Sequence, residues 1–470
     1  MKVTKTTLLL PVEHQVRELD AKLLLACVAA RRGFASVVGP RVQMHFHIPS
    51  LSRGIYLSKS MTKGSVNVFR VLRMLGHDVV AWDEEALVHT PPEIYYQERL
   101  SPVSLGYVSH LFAWGEDSGQ LWERYPRMPA GTSIHMSGNP RGDLLRPELR
   151  GFYAQDVETI RRAHGDFILV NTNFKHVNAF YPTMNLFSAP DRPGEEPRAG
   201  RRVMRMGVSR EYAEGLRDHK QAIFEDFQRL IPDLERAFPG YTIVVRPHPA
   251  ESQGIYHEIA AKCKTVRVTN EGNVVPWAMA ARAIVHNGCT TGVEAYVMGV
   301  PAISYRATVN EDYDRAFHHL PNLLSHECFS FEELRVTLGK ILAGELGPTE
   351  GGERKALIDH HLTALSGRLA CERMVDVLEG MMEEQPERRK PTVRERLKGW
   401  KWATKRRVKK RFRRYIPSSS HNRPQYLEHC YPAISLEQMR RRVMRFQQAL
   451  GDSADIRIEP ISGQFYRLAC

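Results

Sequence analysis

Short apolar runs and segments of helical periodicity alternate along this chain. Over the first 150 residues, Thr6–Val12, Ala35–Val38, Gly54–Leu57, Asp78–Trp82, His110–Trp114 and Ser133–Ser137 are apolar runs of strand length. Leu19, Leu23, Leu24, Cys27 and Val28 recur at helical spacing across Arg17–Arg31, and Gly33 is placed to end that helix. Asn67–Leu75 predicts a second helix, closed by Gly76. Near Phe167 the pattern restarts. Phe167–Asn171, Tyr241–Arg246, Val266–Thr269, Ala283–His286 and Val300–Tyr305 read as strands. Ser209–Phe238 reads as one long helix or a broken pair, and Thr290–Met298 as a helix closed by Gly299. Pro182–Arg202, with Pro190, Pro193 and Pro197, reads as loop. Strands that alternate with helices imply parallel βαβ units.

Two such units in succession predict an α/β chain of GT-B architecture: two Rossmann-like domains facing a cleft, with a hinge near 150–165. The expected divisions are 1–150, 151–385, a basic aromatic segment 386–417, and a final segment 418–470. That last segment shows helix potential over Leu436–Leu450 and no readable role.

Composition narrows the class. The chain has 470 residues, 42% hydrophobic and 25% charged, as in ordinary globular proteins. No apolar run approaches the roughly 18 residues of a membrane span. Leu8–Leu10 and Leu23–Leu25 are separated by Glu13, Arg17, Glu18 and Asp20, so they read as strand and helix and not as a signal peptide. Seven scattered cysteines without CxxC or metal spacing point to reduced thiols and a cytoplasmic protein. The net charge of +13 is local. Arg388–Arg414 holds 15 Lys or Arg against Glu395, which leaves the rest of the chain at −1. The main body therefore has no charge reason to seek nucleic acid.

Three strand ends carry candidate chemistry, and open α/β sheets bind ligands at the carboxyl ends of their strands. Arg246-Pro247-His248-Pro249 follows an apolar strand. Two prolines fix the backbone around His248, which with Arg246 can stabilise charge on a departing phosphate. The alternative is a proline-rich turn with a surface histidine. Asn287-Gly288-Cys289-Thr290-Thr291-Gly292-Val293-Glu294 ends a strand and opens a helix, whose N-terminus suits phosphate. Thr290 or Thr291 would be the N-cap, Gly288 and Gly292 allow close approach, and Glu294 can take ribose hydroxyls. An ordinary capped helix would look the same. Glu84 and Glu85 follow the strand Asp78–Trp82, where a carboxylate can deprotonate an acceptor hydroxyl or simply form a solvated turn. Glu13 and Asp143 are rival bases, although Asp143 fits a helix start better. Asn139 and Arg141 lie in a tight turn near the hinge, with Arg141 facing either the cleft or a structural partner. Asn171 and Asn173 begin the second half at a strand end and can line a donor site.

This ordered set, Glu84-Glu85, then Arg246-Pro247-His248-Pro249, then Thr290-Thr291, resembles the bacterial sialyltransferase and Kdo-transferase group. The Gly138-Asn139-Pro140-Arg141 turn and the run Glu294 to Pro301 resemble capsule and teichoic-acid glycosyltransferases, and the whole is similar to surface carbohydrate biosynthesis proteins. The resemblance covers about residues 5–310. It implies Glu84 or Glu85 as general base. It implies His248, Thr290 and Thr291 on the donor phosphate; the residue reading adds Arg246, Pro249, Asn287, Gly288 and Glu294 to the expected donor site. Ala86 stands where that group has glycine, and threonines replace serines. A CMP donor carries one phosphate and implies a metal-free site with no cofactor. Residues 1–150 would then serve the acceptor and 151–385 the nucleotide sugar.

The expected protein is a cytoplasmic GT-B glycosyltransferase peripheral to the inner face of the membrane. It would transfer a ulosonic acid from CMP to a surface polysaccharide or lipid-linked glycan. Trp400, Trp402, Phe412 and Tyr415 among the basic residues suit an anionic leaflet, where a solvated linker is the plainer reading. The rival functions are a CDP-polyol phosphotransferase, a UDP-sugar 2-epimerase and a non-catalytic membrane scaffold.

Overall fold

A computed structural model describes residues 6–87, 91–190, 196–314, 319–384, 390–413 and 422–470. The first six strands are β1 (Thr7–Val12), β2 (Ala35–Pro40), β3 (Gly54–Ser58), β4 (Asp78–Ala81), β5 (His110–Phe112) and β6 (Ser133–His135). The next eight are β7 (Phe167–Asn171), β8 (Phe187–Ser188), β9 (Arg198–Ala199), β10 (Thr242–Arg246), β11 (Val266–Val268), β12 (Ala283–His286), β13 (Ala302–Tyr305) and β14 (His326–Cys328). The last two, β15 (Arg457–Ser462) and β16 (Phe465–Ala469), form a terminal hairpin. One sheet runs β15-β16-β2-β1-β3-β4-β5-β6, a second runs β11-β10-β7-β12-β13-β14, and β8 pairs with β9 alone. Apart from the hairpin, both large sheets are parallel. The strands and main helices that periodicity predicts fall within a few residues of these bounds.

The chain divides into two compact units. The first comprises Met1–Ala86, Glu98–Phe152 and Ala356–Cys470, and the second comprises Leu87–Gln97 and Tyr153–Lys355. The expected change near residue 150 is thus two residues early, but the expected domain 151–385 is too long. Residues from Ala356 onward return to the first unit. Asp143 explains the return. Its buried carboxylate accepts the backbone N–H groups of Ala370 (2.8 Å) and Cys371 (2.9 Å) at the start of the helix Ala370–Glu384. Arg146 donates to the carbonyls of Ala364 (2.9 Å) and Gly367 (2.7 Å), and Thr363 N–H bonds to Trp114 O (2.8 Å). Gly138, at φ +84°, lets the segment around Thr363 pass, since a Cβ there would lie 2.6 Å from Thr363 O.

The C-terminal segment that sequence leaves unplaced is part of the first unit's fold. β16 pairs antiparallel with β2 and extends the sheet. The helix Leu436–Ala449 opens with a Ser435–Gln438 capping box and packs on the helix Gln15–Arg31. Phe446 stacks on Phe152 at 3.9 Å, and Arg442 pairs with Asp20. The helix Val393–Arg413 lies on the helix Val66–Met74, where Gly399 allows contact with Met74 and Leu75. Residues 386–389 and 414–417 of the expected basic segment lie outside the described residues, as does Tyr415.

In the second unit, Arg210–Ala237 is one continuous helix of 28 residues despite Pro232, which settles the choice between one helix and two. Its apolar face, including Phe224, Phe227, Leu230 and Leu234, packs on β7, β10 and β12. The segment read as loop over Pro182–Arg202 holds the short β8–β9 pair and the start of the helix Arg201–Met206. Leu186, Phe187 and Met206 form a small core there, which proline-rich composition conceals.

Phe446 is fully buried, so Phe446→Ala should lower the free energy of unfolding by about 3 to 5 kcal/mol in urea titration followed by circular dichroism. A loss below about 1 kcal/mol would show that the C-terminal segment does not complete this core.

Candidate active site

Parallel register aligns the candidate groups of the second unit. Arg246 of β10 pairs with Asn171 of β7, and Asn171 pairs on its other side with His286 of β12. The residues that follow each strand, His248, Thr172–Asn173 and Asn287–Gly288, therefore emerge side by side at one sheet edge.

The loop after β10 is fixed by a buried acid. Pro247 and Pro249 contribute no N–H. His248 N–H donates to Glu251 Oε1 at 3.0 Å, and Ala250 N–H donates to His248 Nδ1 at 3.0 Å. Nδ1 is thus an acceptor, and a neutral His248 carries its proton on Nε2. Glu251 is fully buried. Its carboxylate also accepts from Thr172 Oγ1 (3.1 Å) and from Tyr256 OH (2.8 Å). Burial pushes that carboxyl up to about 7 against the pull of these donors. Sequence reading missed Glu251. Its only signal was an acid three residues beyond a histidine set between prolines.

Arg246 serves the scaffold. Its guanidinium donates to Glu271 O at 2.8 Å and to Gly272 O, and stacks 5.3 Å from the Trp277 ring. The expectation that it reaches a donor phosphate is corrected: two carbonyls of the 271–272 turn hold it. His286 likewise shapes the next loop. Its Nδ1 accepts from Gly288 N–H (3.0 Å), and its Nε2 lies 2.8 Å from Ser325 Oγ. Burial drives this imidazole down to about 3, so it stays neutral. Gly288 sits at φ +79°, and a Cβ on Gly292 would meet His286 Nε2 at 2.5 Å, which explains both glycines.

Thr290 occupies the N-cap position of the helix Thr291–Met298 but makes no side-chain cap bond, which corrects the expected capping role. The Thr291 hydroxyl lies against the Cys289 thiol. Glu294 is buried one turn into this helix. Three asparagine atoms at these strand ends are buried without a partner: Asn171 Nδ2, Asn173 Oδ1 and Asn287 Oδ1. Each orphaned group costs on the order of 1 to 3 kcal/mol, which a ligand's donors and acceptors would recover.

At the strand ends of the first unit, acids and bases interleave. Glu84 is almost wholly buried, accepts from Trp82 Nε1 at 2.9 Å and faces Arg141 at 3.4 Å. Arg141 also lies over the Trp114 ring at 5.4 Å, the structural one of its two expected roles. Asn139 caps its own turn by accepting Arg141 N–H at 3.0 Å. Glu85 keeps 32% of its side chain exposed and pairs with Arg17 at 2.7 Å. Asp83 is bound by Arg99. Glu13 pairs with Arg41 and with Lys59 (2.9 Å). Burial would raise its carboxyl, but these two cations outweigh burial and hold it well below the usual range. Beside it, burial lowers His14 to about 4 despite Glu13, so this imidazole is neutral near pH 7. Sequence reading missed His14, Arg17, Arg41, Lys59 and Arg99, although each except Arg99 lies within a few residues of a strand end. Asp143 is the helix cap described above, and burial raises it to about 6.

Two parallel Rossmann-like sheets in one chain fit the GT-B fold. Among solved structures, the chain is similar to the wall teichoic acid polymerase TagF in crystals soaked with CDPG. That likeness has 11% identity over 82% of this chain and 90% of that one, at a TM-score of 0.50. UDP-GlcNAc 2-epimerase from Methanocaldococcus jannaschii is more distant, at 11% identity over 80% and 99% and a TM-score of 0.47. The enzyme of the same name from Neisseria meningitidis gives 11%, 80% and 100%, and 0.43. No family model matches the chain, and no curated protein matches it.

The raised Glu251 carboxyl has a pH consequence. The folded protein binds this proton more tightly than the unfolded chain, so the contribution is full below 4.5 and is lost as pH rises to about 7. The loss is on the order of 3 kcal/mol. Glu251→Gln cannot titrate there. The stability of the wild type relative to this variant should therefore fall across that range in chemical denaturation. A difference independent of pH would contradict the assignment.

Proposed function

We propose that this chain is a glycosyltransferase acting on a nucleotide-activated sugar in surface glycan synthesis. The second unit binds the donor and the first supplies the base. The observation that carries this reading is the His248 loop. With Nδ1 held by Ala250 N–H, the ring offers Nε2–H to an anionic oxygen and stabilises the phosphate as it leaves. Thr290, Thr291 and the helix N-terminus add donors. The orphaned Asn171, Asn173 and Asn287 atoms suit ribose hydroxyls and a base edge. No metal or cofactor is called for by this set.

The donor we favour is a CMP-linked ulosonic acid such as Kdo or a sialic-type sugar. Thr290-Thr291 and the His-Pro turn support a single phosphate held by side chains and helix amides. The second reading is transfer of a polyol phosphate from a CDP donor, favoured by the fold likeness to a polymerase soaked with CDPG. Both use cytidine nucleotides. We assign the base to Glu85, because Glu84 is enclosed by Trp82 and Arg141. Among the described residues no helix is long and apolar enough to cross a membrane. The basic helix Val393–Arg413 leads us to place the protein at the cytoplasmic membrane face, with a lipid-linked or polymeric acceptor.

Calorimetry with CMP, CDP, UDP and GDP tests the donor. A cytidine nucleotide should bind best, and His248→Ala should weaken it roughly ten- to a hundredfold, the value of a hydrogen bond to a charged group. Preference for UDP would move the protein to epimerase-type chemistry, and absence of nucleotide binding would favour a scaffold. Glu85→Gln should leave nucleotide affinity unchanged and lower turnover by about 10² to 10⁴. Equal loss from Glu84→Gln without unfolding would overturn the choice between them.

A further inference from the structure

The helix Val393–Arg413 has two working faces. Gly399 and Ala403, four residues apart, are buried against the first unit, where a Cβ on Gly399 would lie 3.0 Å from Met74 Cβ. Lys410 lies over the Phe46 ring at 5.7 Å on the same side, and burial lowers Arg406 to about 10. Val393, Leu397, Trp400, Val408 and Phe412 are instead 49 to 73% exposed. At 100° per residue they fall within roughly one third of the circumference, turned away from the buried face. Arg394, Lys401 and Arg411 share that outer face, and twelve Lys or Arg lie between Lys390 and Arg413 against Glu395 alone.

We propose that this outer face inserts into an anionic lipid bilayer, with the helix lying in the membrane plane and its inner face fixing the first unit to the surface. Charge alone would bring the segment to any polyanion. The exposed aliphatic and aromatic side chains separate the candidates, since a phosphodiester backbone offers Val393, Leu397 and Val408 nothing apolar to cover them. A bilayer offers both: phosphates for the cations, whose stems run alongside the stripe, and acyl chains for the stripe itself. This deepens the membrane-side reading above and names the residues that enter the lipid.

The test is co-sedimentation of the full chain with phosphatidylglycerol–phosphatidylcholine vesicles across a salt series. Wild type should bind, with part of the binding persisting at high salt. Leu397→Glu and Phe412→Glu should each lower the partition coefficient by about tenfold or more, with unchanged unfolding midpoints because neither side chain packs on the protein. Brominated acyl chains should quench Trp400 and spare Trp402, which lies 5.5 Å from Arg70 on another face. Trp400→Phe should therefore abolish the quenching, and Trp402→Phe should retain it. Binding fully released by salt, with no effect of the stripe variants, would overturn insertion and leave simple electrostatic attraction. Failure to bind these vesicles while binding RNA would overturn the membrane reading entirely. Nucleotide affinity, measured separately, is independent of either outcome and reports on the transferase reading.

Discussion

The Glu251 carboxylate organises the strand ends on which the proposed chemistry depends. Between Pro247 and Ala250 the backbone has only two N–H groups, because both prolines lack one. The first, on His248, goes to Glu251, and the second, on Ala250, goes to the His248 ring. No backbone donor of this loop is left for a ligand. In the proposed donor site the His248 ring, and not consecutive backbone amides as in glycine-rich loops, is the group this loop offers a phosphate. Thr172 and Tyr256 complete the carboxylate's shell and tie β7's exit to the same point. Losing Glu251 would orphan several buried donors at once, so the loop is held by a network and not by one bond.

The first unit uses the same device at a different joint. Asp143 accepts two amides of a helix more than 220 residues later in sequence. A buried carboxylate at a helix N-terminus satisfies orphan donors and faces the positive end of the dipole. The bond explains why the chain closes back on its first unit after Ala356. With the β16–β2 pairing, it makes the C-terminal quarter of the chain integral to that unit. The basic helix packs on this same unit, against the helix Val66–Met74.

Periodicity made the two sheets legible, because parallel strands buried on both faces read as short apolar runs bounded by glycines. It placed His248, Asn171, Asn287 and Glu84-Glu85 at strand ends, and parallel register confirms that the second unit's groups are neighbours. Long-range polar partnerships were not legible. Nothing near Asp143 in sequence announces Ala370, and nothing near Arg246 distinguishes a phosphate ligand from an anchor for Glu271 O. The terminal hairpin was hidden for a related reason: β15 is an exposed edge strand carrying Glu459 and Pro460, so it lacks the apolar run that marks buried strands.

Glu84 and Glu85 show how far one residue's difference in direction decides chemistry. Both lie in the turn that follows β4, and the turn sends their side chains in different directions. Glu84 turns inward, where it accepts from the Trp82 indole and faces the Arg141 guanidinium. Glu85 turns outward and pairs with Arg17, with a third of its side chain open to solvent. Glu13, the remaining rival, is held ionised so strongly by Arg41 and Lys59 that its affinity for a proton is low. A general base must accept the proton it abstracts, and a carboxylate pinned between two cations resists doing so. Glu84 is enclosed and Glu13 is held ionised by two cations, whereas Glu85 is the most open of the three, and for that reason we propose Glu85 as the base.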